Sequence, residues 1–181
     1  MANTQNISAK IECPSYDDYF MAIAVLVRMR SKDPVTKVGA CIVGSESRLL
    51  GYGYNGFPRN CSNEACSWEK SKSDPMKNKK MYVVHAEANA ILHSNGTRLT
   101  GTCLYTTLFP CNECTKLIIQ SGISKVLYLS DKYYKKDKVK ASKKMLQLAG
   151  VEVIRHVPQQ AQININFAEI LNEDPSYLGS N

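Results

Sequence analysis

Residues 85–87 read His-Ala-Glu, and residues 110–114 read Pro-Cys-Asn-Glu-Cys. One imidazole and two thiols from these stretches offer three ligands to a tetrahedral zinc ion, which leaves the fourth position for water. An open fourth position distinguishes a catalytic zinc site from a closed structural one. The glutamate two residues after the histidine can exchange protons with that water without binding the metal. The predicted metal ligands are therefore His85, Cys111 and Cys114, and the predicted proton shuttle is Glu87.

The ligands are expected at the beginnings of two helices. Cys111 and Cys114 are three residues apart and therefore share one face of a helix. Pro110 suits a helix start, and amides of the first turn stabilise thiolates. Residues 85–93 are rich in alanine and predict a second helix, which can pack closely against a sheet. Neighbouring helix starts on one side of a sheet can bring the three ligands together.

The rest of the chain alternates short apolar runs with amphipathic segments, a pattern typical of an α/β protein. Residues 38–43 and 49–54 predict a hairpin of two strands around a turn at 45–47. We therefore expect a layered α/β fold with a mixed sheet of about five strands flanked by helices. The further predicted helices are 15–30, 111–120, 135–149 and a short one near 167–171, and the further predicted strands are 102–107, 125–129 and 151–155.

One long polar segment, residues 59–80, interrupts this alternation and predicts a functional or mobile loop. Cys61 and Cys66 lie within it and could contribute to a second metal site, although no third ligand is evident. Trp68 is expected to anchor the loop on the core. His156 follows the last predicted strand without an obvious partner and is interpreted as structural.

Composition limits the possible classes of protein. The chain has 181 residues and a formal net charge of +7, which favours an anionic partner, either a nucleotide phosphate or a nucleic acid. Seven cysteines, an odd number, do not indicate a disulfide framework, and we expect a location in the cytosol or the nucleus. No apolar run approaches the length of a membrane span, and we expect no contact with membranes. We predict one domain over residues 1–181, with flexible tails at about 1–14 and 172–181.

The motifs taken together resemble the deoxycytidylate (dCMP) deaminases of the zinc-dependent cytidine/deoxycytidylate deaminase family. His-x-Glu followed by Pro-Cys-x-x-Cys is the known signature of zinc-dependent nucleobase deaminases. The likeness extends over roughly residues 16–157. It includes 31–34 (SKDP), 38–43 (VGACIV), 53–56 (GYNG), 85–87 (HAE), 108–114 (LFPCNEC), 116–120 (KLIIQ) and 130–133 (SDKY).

This resemblance implies hydrolysis of dCMP to dUMP and ammonia, which supplies the precursor of thymidylate. It also implies a cytidine-deaminase-like fold and a homo-hexamer that dCTP activates and dTTP inhibits, with Mg²⁺ on the effector triphosphate. By the same resemblance, Asn55 binds the sugar hydroxyl, and Lys116 and Tyr133 bind the substrate phosphate, with Lys32 as a weaker candidate. The implied effector-binding residues are Gly53, Tyr54, Asn55 and Gly56.

Three alternatives remain at this point. A nucleic-acid deaminase, acting on tRNA adenosine or DNA cytosine, agrees with the positive charge. However, neither lysine-rich segment alternates with aromatic residues of the kind that stack single-stranded bases, and we therefore expect no nucleic-acid partner. A free-nucleoside deaminase would not need the phosphate-binding residues. A zinc-stabilised interaction domain would normally supply a fourth protein ligand.

Overall fold

A computed structural model of the protein describes residues 13–61 and 65–173. The structure contains helices and strands close to those that the hydrophobic pattern predicts. The helices are α1 (Tyr16–Arg28), α2 (Ala86–His93), α3 (Asn112–Gln120), α4 (Asp137–Leu148) and α5 (Phe167–Asn172), and the strands are β1 (Gly39–Val43), β2 (Leu49–Tyr54), β3 (Cys103–Leu108), β4 (Lys125–Ser130) and β5 (Glu152–Arg155).

The five strands form one sheet in the order β2-β1-β3-β4-β5. Strand β1 pairs antiparallel with β2 and β3, whereas β3, β4 and β5 are parallel to one another. The prediction of a mixed five-stranded α/β fold is therefore confirmed. Because β1 runs against both of its neighbours, the carboxyl ends of β2, β3, β4 and β5 all lie at the same edge of the sheet. The segments that leave these strands begin the helices and loops of the candidate site.

Helix α1 covers one face of the sheet. Its buried side chains Phe20, Met21 and Ala24 pack in a cluster that includes Cys41 and Tyr105 of the strands. The helix begins as predicted, because the Asp18 amide donates a hydrogen bond to the Ser15 side chain. Cys41, within the strand predicted over residues 38–43, is fully buried in this cluster.

Helices α2, α3 and α4 cover the opposite face. Their core side chains include Ala90, Ile118 and Leu146, which pack with Ile42 and Leu104 of the strands. Small residues allow α2 to lie directly on β2. A Cβ atom at Gly53 would overlap the backbone of Ala86 and Ala90, so only glycine fits there without a shift.

The segment after β5 returns to the start of α1. The His156 Nε2 atom lies 2.7 Å from Asp18 Oδ1, and the Gln159 amide donates to the same carboxylate. His156 is structural, as expected, but the expectation that it has no partner is wrong. Asp18 is 138 residues away in the chain, so no local pattern could indicate it.

Most of the two predicted tails, 1–14 and 172–181, lies outside the described residues, and their flexibility stays a prediction. None of the described helices has the length and apolar character needed to cross a membrane.

Candidate active site

The three predicted metal ligands come together where α2 and α3 begin. His85 and Cys111 are the residues immediately before α2 and α3, and both have extended backbone conformations. His85 Nδ1 lies 3.4 Å from Cys111 Sγ and 3.3 Å from Cys114 Sγ. All three ligand atoms lie within 4.8 Å of one another, and no other group of three such side chains occurs among the described residues.

These separations fit a tetrahedral zinc ion. With Zn–N and Zn–S bonds of about 2.05 and 2.3 Å and tetrahedral angles, the nitrogen and sulfur atoms should lie about 3.6 Å apart. His85 is exposed, Cys111 is half-buried and Cys114 is buried. The metal position would therefore be held from the protein side and remain open to solvent next to the imidazole. The identity of the ligand nitrogen, Nδ1, comes from the structure alone.

Glu87 lies at the inner edge of this cluster and is 4% exposed. Burial raises the pKa of Glu87, and the nearby His85 offsets only part of that effect. A carboxyl group with a raised pKa gains and loses a proton more readily near neutral pH. Glu87 therefore has the location and the protonation behaviour of a general acid–base.

The two thiols form an unequal pair. Hydrogen bonds from Cys114 and from His85 lower the pKa of Cys111 to about 3. The hydrogen bond to Cys111, together with burial, raises the pKa of Cys114. The backbone amide of Cys114 also stabilises the Cys111 thiolate, as expected for a thiol at a helix start. A coordinated metal ion deprotonates thiol ligands outright, so the pair is suited to metal binding.

Comparison with known proteins places this site in a family. A family model of the cytidine and deoxycytidylate deaminase zinc-binding region matches residues 14–130. The chain belongs to the cytidine and deoxycytidylate deaminase family. The match includes the histidine, the glutamate and both cysteines of the cluster.

The relatives in this family extend over most of the chain. A probable deoxycytidylate deaminase of Drosophila melanogaster is 62% identical over 89% of this chain and 82% of its own. The deoxycytidylate deaminase of Homo sapiens is 44% identical over 93% of this chain and 97% of its own. A solved structure, the dCMP deaminase of cyanophage S-TIM5 in complex with dCMP and dUMP, is 29% identical. It covers 80% of this chain and 99% of its own, with a TM-score of 0.65.

Asn55 lies at the sheet edge beside this deaminase site, but its amide is engaged with the protein. Its Oδ1 accepts hydrogen bonds from Ser31 Oγ at 2.8 Å and from the Val38 amide at 2.7 Å. Its Nδ2 donates to Asp33 Oδ2 at 3.2 Å and to the Thr36 carbonyl at 3.0 Å. These four bonds use the full capacity of a carboxamide. The assignment of Asn55 to a sugar hydroxyl stays a prediction, and in this structure the residue organises the surrounding turns.

Tyr133 follows β4 and lies near the same edge. Its hydroxyl is 3.3 Å from Thr36 Oγ1. That hydrogen bond lowers the pKa of Tyr133, with further lowering from the positive charges of Lys132 and Lys70. Two cations beside a phenol suit a phosphate group, which favours the predicted role of Tyr133.

Lys116 lies on a different side of α3. Two residues after Cys114, its side chain projects about 200° around the helix from the buried thiol. Its ammonium forms an exposed ion pair with Glu113 at 2.7 Å. The structure therefore does not bring Lys116 to the metal cluster, and its phosphate role stays a prediction. Lys138 is instead close enough to His85 for its charge to oppose protonation of the imidazole.

The predicted effector-binding turn has structural contacts of its own. Gly53 provides the space for α2, and the Tyr54 carbonyl accepts a hydrogen bond from Asn89 of α2 at 2.8 Å. Gly56 pairs through both of its backbone groups with Val84, the residue before His85. The turn therefore holds the first ligand in place, and effector binding by it stays a prediction.

Residues outside the motifs also contribute to the site. Asp33 and Lys79 form a buried ion pair beside Asn55, although neither residue belongs to a recognisable catalytic or metal-binding pattern. Asp33 lies in the stretch 31–34 that the family resemblance includes. Lys79 cannot be told apart by sequence from the other lysines of the polar segment. Cys61 and Cys66 belong to no metal-binding group of three among the described residues.

Proposed function

We propose that this protein is a zinc-dependent dCMP deaminase that hydrolyses dCMP to dUMP and ammonia. The observation that carries the proposal is the cluster of His85, Cys111 and Cys114 with the buried carboxyl of Glu87 beside it. The relatives named above support dCMP as the substrate. No fourth metal-binding side chain lies in the cluster among the described residues, which argues against a closed structural site.

The chemistry follows from the positions of these side chains. Bound zinc would act as a Lewis acid that makes water nucleophilic near neutral pH. Glu87 accepts a proton from the water as the oxygen attacks the amine-bearing ring carbon, and passes it to the adjacent ring nitrogen. Glu87 then transfers the remaining proton of the added water, from the new hydroxyl group to the departing amine, which leaves as ammonia. The net reaction consumes one water and releases one ammonia.

The charges around the site favour a nucleotide over a free nucleoside. The positive charges of Lys132 and Lys70 lie near the Tyr133 hydroxyl, and that of Lys138 lies near His85. These charges would stabilise the dianionic phosphate of dCMP. Deoxycytidine has no phosphate and would gain nothing from them. The proposed phosphate contacts therefore centre on Tyr133 and these lysines.

The proposal extends to regulation and assembly. We expect activation by dCTP and inhibition by dTTP, with Mg²⁺ on the effector triphosphate, and a homo-hexamer. The proposed role is supply of dUMP for thymidylate synthesis in the cytosol or the nucleus. Family resemblance supports these points, and the charge of +7 agrees with anionic effectors.

The test is ammonia release from three substrates: dCMP, deoxycytidine and a cytosine-containing single-stranded oligonucleotide. Release from dCMP should be the fastest, should disappear on zinc removal and should return when zinc is added. Addition of dCTP or dTTP with Mg²⁺ tests regulation in the same assay.

A control separates the enzyme from an interaction domain. Glu87→Gln should keep its zinc and its fold but lose ammonia release. Faster turnover of the oligonucleotide than of dCMP, with a steep decrease as salt rises, would instead indicate a nucleic-acid deaminase. Release of no ammonia from any of the three substrates by the zinc-loaded protein would refute the proposal.

A further inference from the structure

One buried ion pair lies beside the candidate site without belonging to the metal cluster. Lys79 Nζ lies 2.6 Å from Asp33 Oδ1 and 2.5 Å from Oδ2, and the two side chains are only 7% and 4% exposed. Burying two charges costs free energy unless they are well paired. A loop that only connects two elements of the fold would not require a buried ion pair. The pair therefore calls for an explanation in terms of what it holds together.

Asp33 organises the turn that follows it. Its Oδ1 accepts hydrogen bonds from the Val35 and Thr36 amides at 2.8 and 3.0 Å. Burial alone would raise the pKa of Asp33, but the hydrogen bonds from Lys79 and from the two amides hold it below its usual value. The same turn presents Thr36 Oγ1 to the Tyr133 hydroxyl. Asp33 thus fixes a neighbour of the proposed phosphate-binding residue.

Asp33 also fixes Asn55. Its Oδ2 accepts the 3.2 Å hydrogen bond from Asn55 Nδ2. The next residue, Gly56, pairs with Val84, which directly precedes the metal ligand His85. The Asp33 carboxylate therefore connects the turn at 33–36 with the end of β2.

Lys79 adds the long polar segment to this arrangement. Its amide donates to the Glu69 carbonyl at 2.8 Å, and an isolated bridge pairs Lys70 with Asn78. The Lys79 ammonium also lies 5.7 Å from the centre of the Trp68 ring, which packs at 4.2 Å against Phe57. The segment 68–79 is thus closed on itself, and the Lys79 ammonium attaches it to Asp33 in addition to the contact of Trp68 with Phe57. This attachment holds Lys70 close enough to Tyr133 to affect its pKa.

We propose that Lys79 is a positioning residue: through Asp33 it holds Asn55, the 33–36 turn and the 68–79 segment in the arrangement that binds substrate. The inference rests on the proposed function, since it concerns binding of the same substrate. Lys79 does not touch the metal cluster. Helix α2 is separately anchored through Asn89 and Tyr54, so the chemical step should depend on Lys79 much less than substrate binding does.

The test compares Lys79→Met with Lys80→Met, which removes the neighbouring exposed lysine. In Lys79→Met, KM for dCMP should rise between about tenfold and a hundredfold, while kcat and zinc content change little. Lys80→Met should behave like the unmodified protein.

A second readout does not need activity. Trp68 is the single tryptophan of the chain, so its fluorescence reports on the segment directly. Acrylamide quenching of Trp68 should increase in Lys79→Met and not in Lys80→Met. If the unmodified protein fails to deaminate dCMP, the proposed function is wrong, and the quenching measurement still tests whether Lys79 holds the segment.

A double variant separates positioning from general stability. Lys79→Met leaves the buried Asp33 carboxylate without its opposite charge, whereas Asp33→Asn combined with Lys79→Met removes both charges and should recover much of the lost Tm. Its KM should nevertheless stay raised, because the connection is still missing. If Lys79→Met does not fold, the double variant carries the test. Recovery of the unmodified KM together with Tm, or unchanged KM and quenching in Lys79→Met, would overturn the inference.

Discussion

Replacing Gly53 with alanine tests whether this glycine serves packing or effector binding. In the structure, a methyl group at Gly53 would overlap the Ala86 carbonyl and the Ala90 amide, both in the backbone of α2. A helix backbone cannot move aside as a flexible side chain can. The whole of α2 must therefore shift away from β2, and its first turn carries Glu87 and follows His85.

The size of the shift can be estimated from the contacts. The new methyl carbon would lie 2.8 Å from the Asn89 carbonyl carbon, whereas carbon atoms in good contact are about 3.5 Å apart. The helix must move by roughly 0.7 Å to restore that distance. Overpacking of this kind destabilises a protein by about 1–3 kcal/mol, which lowers Tm by about 2–12 °C in a chain of this length. A displacement approaching 1 Å at the reacting groups can lower kcat about a hundredfold.

The assay measures Tm, zinc content and kcat for dCMP in Gly53→Ala and in the matched variant Gly56→Ala. Gly56 belongs to the same predicted effector turn, but the nearest atom to its added methyl group is 3.8 Å away in the Tyr54 ring. Gly56→Ala should therefore keep its Tm and kcat. Unchanged Tm and kcat in Gly53→Ala would refute the packing argument. If Gly53→Ala changed only the response to dCTP and left Tm and kcat unchanged, Gly53 would instead have a role in effector binding.

Three further predictions concern single side chains. Glu87→Gln should lower kcat between about a hundredfold and ten-thousandfold with zinc content unchanged. A loss of zinc, measured by atomic absorption, would contradict the prediction that Glu87 transfers protons without binding the metal. Tyr133→Phe should raise KM for dCMP more than KM for deoxycytidine. Lys116→Ala tests the phosphate role that the resemblance implies: a selective rise in KM for dCMP would support that role, and equal effects on both substrates would count against it. Because the folded-state pKa of Asp33 lies below 3.8, its contribution to stability is present above that pH and is lost as the pH falls through the folded value. In urea unfolding, the difference in unfolding free energy between the unmodified protein and Asp33→Asn should stay constant from about pH 7 to 5 and shrink below about pH 4, and a difference that grows on acidification would contradict the assignment.

The sequence was sufficient for the metal ligands because their spacing is local. Cys111 and Cys114 lie within one helical turn, and the alanine pattern predicts the helix that begins after His85. The contact between His85 and the two cysteines is therefore the only long-range contact that the metal-site prediction requires. The strands of the sheet are short apolar runs whose ends agree with the structure within a few residues. The antiparallel direction of β1 and β2 follows from the hairpin, and the parallel direction of β3, β4 and β5 follows from the intervening helices, whereas the antiparallel pairing of β1 with β3 follows from neither.

The remaining contacts join residues that are far apart in the chain. Lys79 and Asp33 are 46 residues apart, and nothing distinguishes Lys79 from its neighbour Lys80 until the fold buries one and exposes the other. Lys116 illustrates a different difficulty. Its phosphate role is implied by family resemblance alone, and its exposed ion pair with Glu113 neither supports nor excludes a contact with the substrate phosphate.

These two kinds of contact have different consequences for substitutions. The metal cluster is held by the starts of α2 and α3 and by the pairing of Gly56 with Val84, so substitutions in the 59–80 segment should leave metal binding and the chemical step largely intact. In the proposed arrangement, substrate binding depends on turns and loops that the Lys79–Asp33 ion pair and the Asn55 carboxamide connect across the sheet edge. Since all four hydrogen bonds of Asn55 are made within the protein, changes around it should disturb the proposed substrate-binding turns before they disturb the metal cluster. Substitutions at Asp33 and Lys79 should therefore raise KM for dCMP, whereas substitutions at His85, Cys111 and Cys114 should abolish activity on every substrate.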